Sequence, residues 1–193
     1  LMGCSSDTSE PVALPYRVQF LHGVASGDPA ADAIILWTRV SADAASVPVN
    51  WQLATDKNFN QIIRSGNTTT SAQSDYTVKI DVRDLDAGTE YYYRFSAGNV
   101  FSPIGRAKTL AAGGVSAVKL AVFSCSNYPA GYFHVYAKAA EIDNLDAVIH
   151  LGDYIYEYGA GGYASEDAVA LGRTSLPESE ILSLSDYRTR YAQ

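Results

Sequence analysis

The chain has 193 residues, 47% of them hydrophobic and 18% charged, a balance that suits a folded globular protein rather than a disordered one. Its net charge of −7 argues against nucleic acid as a stable partner, and an anionic substrate would need a local positive centre such as a metal. No run of 18 or more apolar residues occurs, the length that a membrane-crossing helix needs, and two cysteines exclude a disulfide-rich scaffold.

The start, Leu1-Met2-Gly3-Cys4, resembles the lipobox of bacterial lipoproteins, in which the cysteine is acylated. The polar stretch that follows reads as a tether, so residues 1–15 form an N-terminal segment anchored through Cys4; an ordinary ragged terminus is the alternative. A disulfide between Cys4 and Cys125 would tie that tail to a strand end. From Tyr16 onward the pattern is all β. Val49, Trp51 and Leu53 share one face, as do Tyr76, Val78, Ile80 and Val82, and then Tyr91, Tyr93 and Phe95. Period-2 alternation predicts strands with one buried and one solvated face. The turn-rich breaks "SGDPAAD", "DKN", "SGN" and "DLDAG" separate them, which predicts a β-sandwich over residues 16–111. The segment "DLDAGTEYYYRFSAG" resembles the tyrosine corner of fibronectin type III and related sandwiches, with Tyr91 as the residue whose hydroxyl bonds back to nearby backbone.

"TLAAGGVSA" (109–117) has the composition of a linker, and beyond it the period changes. "VKLAVFSC" (118–125) and "AVIHLGD" (147–153) are nearly continuous apolar runs, as in strands buried on both faces. Between them "GYFHVYAKAAEIDNLD" has helical spacing, with Phe133, Tyr136, Ala140 and Ile142 turned inward. Strand, helix and strand make a βαβ unit, so residues 118–193 open an α/β domain. Near the end, Ser183 with Asp186 three residues on predicts a capped helix start. Two parallel strands cannot cover both their faces, so packing predicts that the natural protein continues beyond Gln193.

Ligands of open α/β sheets bind beyond the carboxyl ends of the strands. Cys125 ends one strand and Asp153 the other, and Tyr156 lies where a tight turn returns it to the same place. Thiol and phenol ionise poorly near neutral pH, and a highly charged cation supplies the missing help. Phenolate with thiolate points to trivalent iron more than to zinc, magnesium or calcium alone.

Four segments, "FLHGVASGDP…ILWTRV", "FSCSNYPAGYFHVY", "HLGDYIYEYG" and "LSDYRTRYA", in this order resemble the N-terminal part of the alkaline phosphatase D (PhoD-like) family, from about Tyr16 to Gln193. The resemblance implies a β-sandwich followed by a calcineurin-like metallophosphoesterase domain. It also implies an exported phosphomonoesterase or phosphodiesterase, periplasmic or at the cell surface, acting on small-molecule phosphate esters. By the same resemblance, Cys125, Asp153 and Tyr156 are iron ligands, and Asp153 bridges to calcium. Such a site supplies a Lewis acid and a metal-activated hydroxide. The family's later metal-binding motifs lie outside this chain, which alone is expected to be inactive.

Each residue has a plainer reading. Cys125 could be a core thiol, Asp153 a turn residue, Tyr156 a packed ring and Asn127 a turn residue rather than a hydrogen-bonding neighbour of the site. His150 reads as a satisfied core histidine, and His22 and His134 as structural. Two rival functions remain: a purple-acid-phosphatase-like enzyme, which would place Asp at the position of Cys125, and a surface lipoprotein that binds a partner through its sandwich.

Overall fold

The computed structural model describes residues 15–193. Cys4 and the lipobox-like start lie outside the described residues. The chain divides into two compact units, at Gly114/Val115.

Among the described residues, the first unit has ten strands: β1 (Val18–Gln19), β2 (Val24–Gly27), β3 (Ala33–Arg39), β4 (Ser41–Ala42), β5 (Ser46–Ala54), β6 (Ile62–Ser71), β7 (Thr77–Arg83), β8 (Glu90–Ala97), β9 (Val100–Phe101) and β10 (Gly105–Lys108). One sheet runs β10-β8-β5-β6, with β9 paired to β8; a second runs β2-β3-β7; β1 and β4 pair separately. All these pairings are antiparallel. Residues of both larger sheets meet in one core, where Leu36 of β3, Val49 and Leu53 of β5 and Phe95 of β8 are fully buried. Burying each such side chain stabilises the fold by roughly 1.5–3 kcal/mol. Thr38 is also fully buried, and its hydroxyl donates to the Gly23 carbonyl at 2.8 Å, so no polar group is stranded there.

Tyr91 is 1% exposed; its hydroxyl accepts from the Asp86 amide at 2.9 Å and donates to the Asp86 carbonyl at 3.4 Å. That is the corner geometry the sequence suggests. Thr109 is not linker: it is buried, and its hydroxyl donates to the Asp86 carbonyl at 2.6 Å. The "SGN" break is also overturned. Ser65, Gly66 and Asn67 lie in the middle of β6, paired with Gln52, Trp51 and Asn50. Gly66 is required there by the indole opposite, because a Cβ would sit 2.8 Å from Trp51 Nε1.

The second unit holds β11 (Leu120–Phe123), α1 (His134–Ala140), β12 (Ala147–His150) and α2 (Leu184–Ala192). β11 and β12 pair in parallel, from Leu120 opposite Ala147 to Phe123 opposite His150. The expected burial on both faces does not occur: Val122 is 53% and Val148 63% exposed. A two-stranded sheet has too little neighbouring structure to cover its apolar runs. For the same reason α1 is short and half-buries only Tyr136 and Ala139; Phe133, Ala140 and Ile142 are exposed. At α2, Ser183 and Asp186 make the full reciprocal capping box.

Candidate metal centre

Pairing between the two parallel segments continues past the strands. The Leu151 amide donates to the Phe123 carbonyl at 2.8 Å, the Cys125 amide to Gly152 at 3.1 Å, and the Ser126 amide to Asp153 at 2.8 Å. This extension sets Cys125 and Asp153 side by side, two and three residues beyond their strands rather than at the last strand residue. Cys125 has φ 62° and Asp153 φ 52°, left-handed conformations that non-glycine residues adopt at a cost of roughly 1–3 kcal/mol each and that gather at functional sites. Gly152, just before Asp153, has φ 130°, accessible to glycine and little else.

Cys125 is an exposed free thiol, with Sγ 3.8 Å from Asp153 Oδ2. The Tyr156 phenol joins this pair. Its pKa is held well above the usual tyrosine value, first by its hydrogen bond to Cys125, then by that to Asp153, with the negative charges of both adding to the effect. All three predicted ligands therefore converge.

The predicted neighbour of the site, Asn127, behaves differently. Asn127 spends its side-chain amide on the Tyr163 carbonyl at 3.0 Å. The cluster is supported by Ser126, which the sequence reading passed over, together with Tyr136 and His150. Ser126 Oγ lies 2.9 Å from His150 Nε2 and makes a short hydrogen bond with the Tyr136 hydroxyl, which itself lies 3.3 Å from His150 Nε2. His150 Nδ1 accepts from the Gly152 amide at 3.4 Å, so both ring nitrogens have partners. Strand end, helix and strand end are thus tied together directly beneath Cys125 and Asp153, and His150 is a satisfied structural histidine. From α2, Arg190 donates through Nη1 to the Tyr156 carbonyl, through Nε to Leu176 at 2.8 Å and through Nη2 to Pro177 at 3.1 Å. Only its position on the inner side of α2 could have marked it, since nothing local distinguishes it from Arg188.

The donor set fits a metal. It joins one sulfur and two oxygens, all anionic once deprotonated, and a cation at their meeting point would reverse the repulsion that now keeps the phenol protonated. Among the described residues no cluster of three His, Cys, Asp or Glu forms, so the phenol of Tyr156 is what makes this a three-donor site. Three donors leave coordination positions open, since calcium takes six to eight oxygens and even zinc takes four ligands.

The sequence profile of the PhoD-like phosphatase N-terminal domain matches residues 5–111, and that of the PhoD-like phosphatase matches residues 120–193. The chain belongs to the PhoD-like phosphatase family. It is 40% identical over 184 residues to alkaline phosphatase D of Bacillus subtilis (strain 168), a match that covers 90% of the chain and 31% of that protein. A solved structure of PhoD superposes with a TM-score of 0.81 at 40% identity, covering 90% of the chain and 34% of that structure. The chain thus spans about a third of the length of these relatives. A fibronectin type III domain of human collagen alpha-1(XX) chain, 20% identical with a TM-score of 0.34, is too distant to bear on the fold; it covers 58% of the chain and 94% of that domain. The family match decides against the purple-acid-phosphatase alternative, in keeping with Cys125 at the first strand end.

Proposed function

We propose that this chain is the N-terminal part of an exported, metal-dependent phosphoric ester hydrolase. In this reading a fibronectin type III-like sandwich precedes the opening βαβ unit of a calcineurin-like metallophosphoesterase domain. The observation that carries the reading is the meeting of Cys125, Asp153 and Tyr156 beyond two paired strand ends, in a member of the PhoD-like phosphatase family.

Cys125, Asp153 and Tyr156 would hold iron, and Asp153 would also reach calcium. The bound metals would supply Lewis acidity toward the phosphoryl oxygen and activate water as the nucleophile. The chain's own residues do the positioning. Ser126, Tyr136 and His150 hold the two strand ends at a fixed spacing, and Arg190 fixes the backbone at Tyr156. Cys125 and Asp153, both in left-handed backbone beyond the strand ends, are exposed to solvent. A cation at this point also gives an anionic ester the positive centre that a chain of net charge −7 otherwise lacks.

The test is made on the full-length product of the gene that encodes this chain. Metal content and hydrolysis of a chromogenic phosphodiester should appear together, and Cys125→Ala should abolish both. A metal-free protein, or one whose activity survives Cys125→Ala, would remove the reading. Placement outside the cytoplasm and acylation at Cys4 belong to the same proposal. Mass spectrometry of the N-terminal peptide from membrane-associated protein should find a lipid on Cys4, and an unmodified cysteine there would defeat that part alone.

A further inference from the structure

A cavity of about 260 Å³ opens beside the Cys125, Asp153 and Tyr156 cluster. Tyr156 belongs to both, as a member of the cluster and as part of the cavity wall. Much of the remaining wall is aromatic: Tyr128, Phe133, Tyr154, Tyr158, Tyr163 and Tyr191. The rings of Tyr156, Tyr158 and Tyr163 lie with their centroids 6.1–6.3 Å apart, and Tyr154 stacks on Tyr191 at 5.9 Å.

The long polar side chains in the same wall are already committed to the protein. Asn127 donates to Tyr163, and Arg190 donates to three carbonyls. Gln193 accepts from the Leu176 amide and donates to the Thr174 carbonyl. Ser126 is held by Tyr136 and His150. What the wall offers a ligand is therefore ring surface, edged by tyrosine hydroxyls. Among the described residues no carboxylate side chain lines it, and the charged side chain in its wall is the Arg190 guanidinium.

We infer that this cavity holds the organic side of the phosphate ester, and that it selects a flat, ring-bearing alcohol component over a small or saturated one. The inference rests on reading the adjoining cluster as a phosphoester site. Size permits it: an apolar cavity of about 150 Å³ is enough to bind benzene, so this one accommodates a substituted ring. Geometry favours it, because aromatic pairs prefer offset or edge contacts at 4.5–7 Å and gain from them beyond simple area burial.

The experiment uses the full-length, metal-loaded protein and three non-hydrolysable probes: phenylphosphonate, cyclohexylphosphonate and methylphosphonate. Their affinities are measured by titration calorimetry, and hydrolysis of bis(4-nitrophenyl) phosphate is followed in parallel. The aromatic probe is expected to bind about tenfold more tightly than either other probe, the worth of one well-placed ring. In Tyr158→Leu and Tyr163→Leu, each shown folded by circular dichroism, that advantage should shrink to about twofold. Equal affinity for phenylphosphonate and cyclohexylphosphonate in the wild type overturns the inference, as does an advantage that survives both substitutions. If either occurs while hydrolysis is intact, the phosphatase reading stands without this cavity. If the ring preference is found without hydrolysis, the cavity stands and the phosphatase reading fails.

Discussion

At Gly105 the absence of a side chain is a packing requirement. A Cβ there would lie 2.2 Å from Cζ of Tyr93, a ring that is only 2% exposed. Burial also raises the Tyr93 phenol to about 12, so this ring neither ionises nor moves cheaply. Gly105→Ala is expected to destabilise the sandwich by about 1–3 kcal/mol, as overpacking of a closed site does. Urea titration of both variants checks this, and Gly27→Ala, with open space around it, should change the midpoint little. The contrast marks a limit of sequence reading at this scale. Tyr91 was legible because its partner, Asp86, lies five residues away and the corner is a local pattern. Gly66 was not, because the group that requires it, the Trp51 indole, stands on the neighbouring strand.

Among the elements, the parallel pair β11 and β12 and the helix α1 decide where the candidate site sits. Cys125, Asp153 and Tyr156 could be picked out beforehand, because strand ends, a Gly-Asp step and a short return are all sequential features. Ser126 and Tyr136 could not, because they meet His150 only after the helix has packed. Phe123 edges against Tyr136 at 4.8 Å and so holds that hydroxyl above the strand ends. Tyr136→Phe keeps this ring contact and removes the hydroxyl from Ser126 and His150. Metal affinity, measured by competition with a chelator, should fall by on the order of tenfold, the usual effect of losing a supporting hydrogen bond behind a metal ligand. An unchanged affinity would reduce the triad to ordinary packing.

For the whole molecule, the first unit contains a pH-dependent element. His22 Nε2 accepts from Arg39 Nη1 at 2.6 Å, and Arg39 in turn pairs with Asp75 at 2.9 Å. Burial, and next the Arg39 charge, hold the His22 pKa below its usual value, with Asp75 opposing. The folded protein therefore keeps this imidazole neutral while the unfolded chain begins to take up a proton below about pH 6.5. Stability should be level above that pH and decline as the pH falls below it, and His22→Gln should flatten the decline. Urea midpoints compared at pH 7.5 and 5.5 check the direction.

Two kinds of information divide between sequence and tertiary structure. Alternation, most of the turns, the tyrosine corner, the capping box at Ser183 and the choice of Cys125, Asp153 and Tyr156 as the strand-end cluster follow from the sequence by itself, because each depends on neighbours within a few residues. The course of β6 through Ser65-Gly66-Asn67, the membership of Thr109 in the sandwich and the exposure of β11 and β12 were decided only in three dimensions. So were the Ser126, Tyr136 and His150 triad and the ring-lined cavity held in place by Arg190. Each of these depends on what a distant segment places opposite a residue, and hydrophobic pattern alone does not specify that partner.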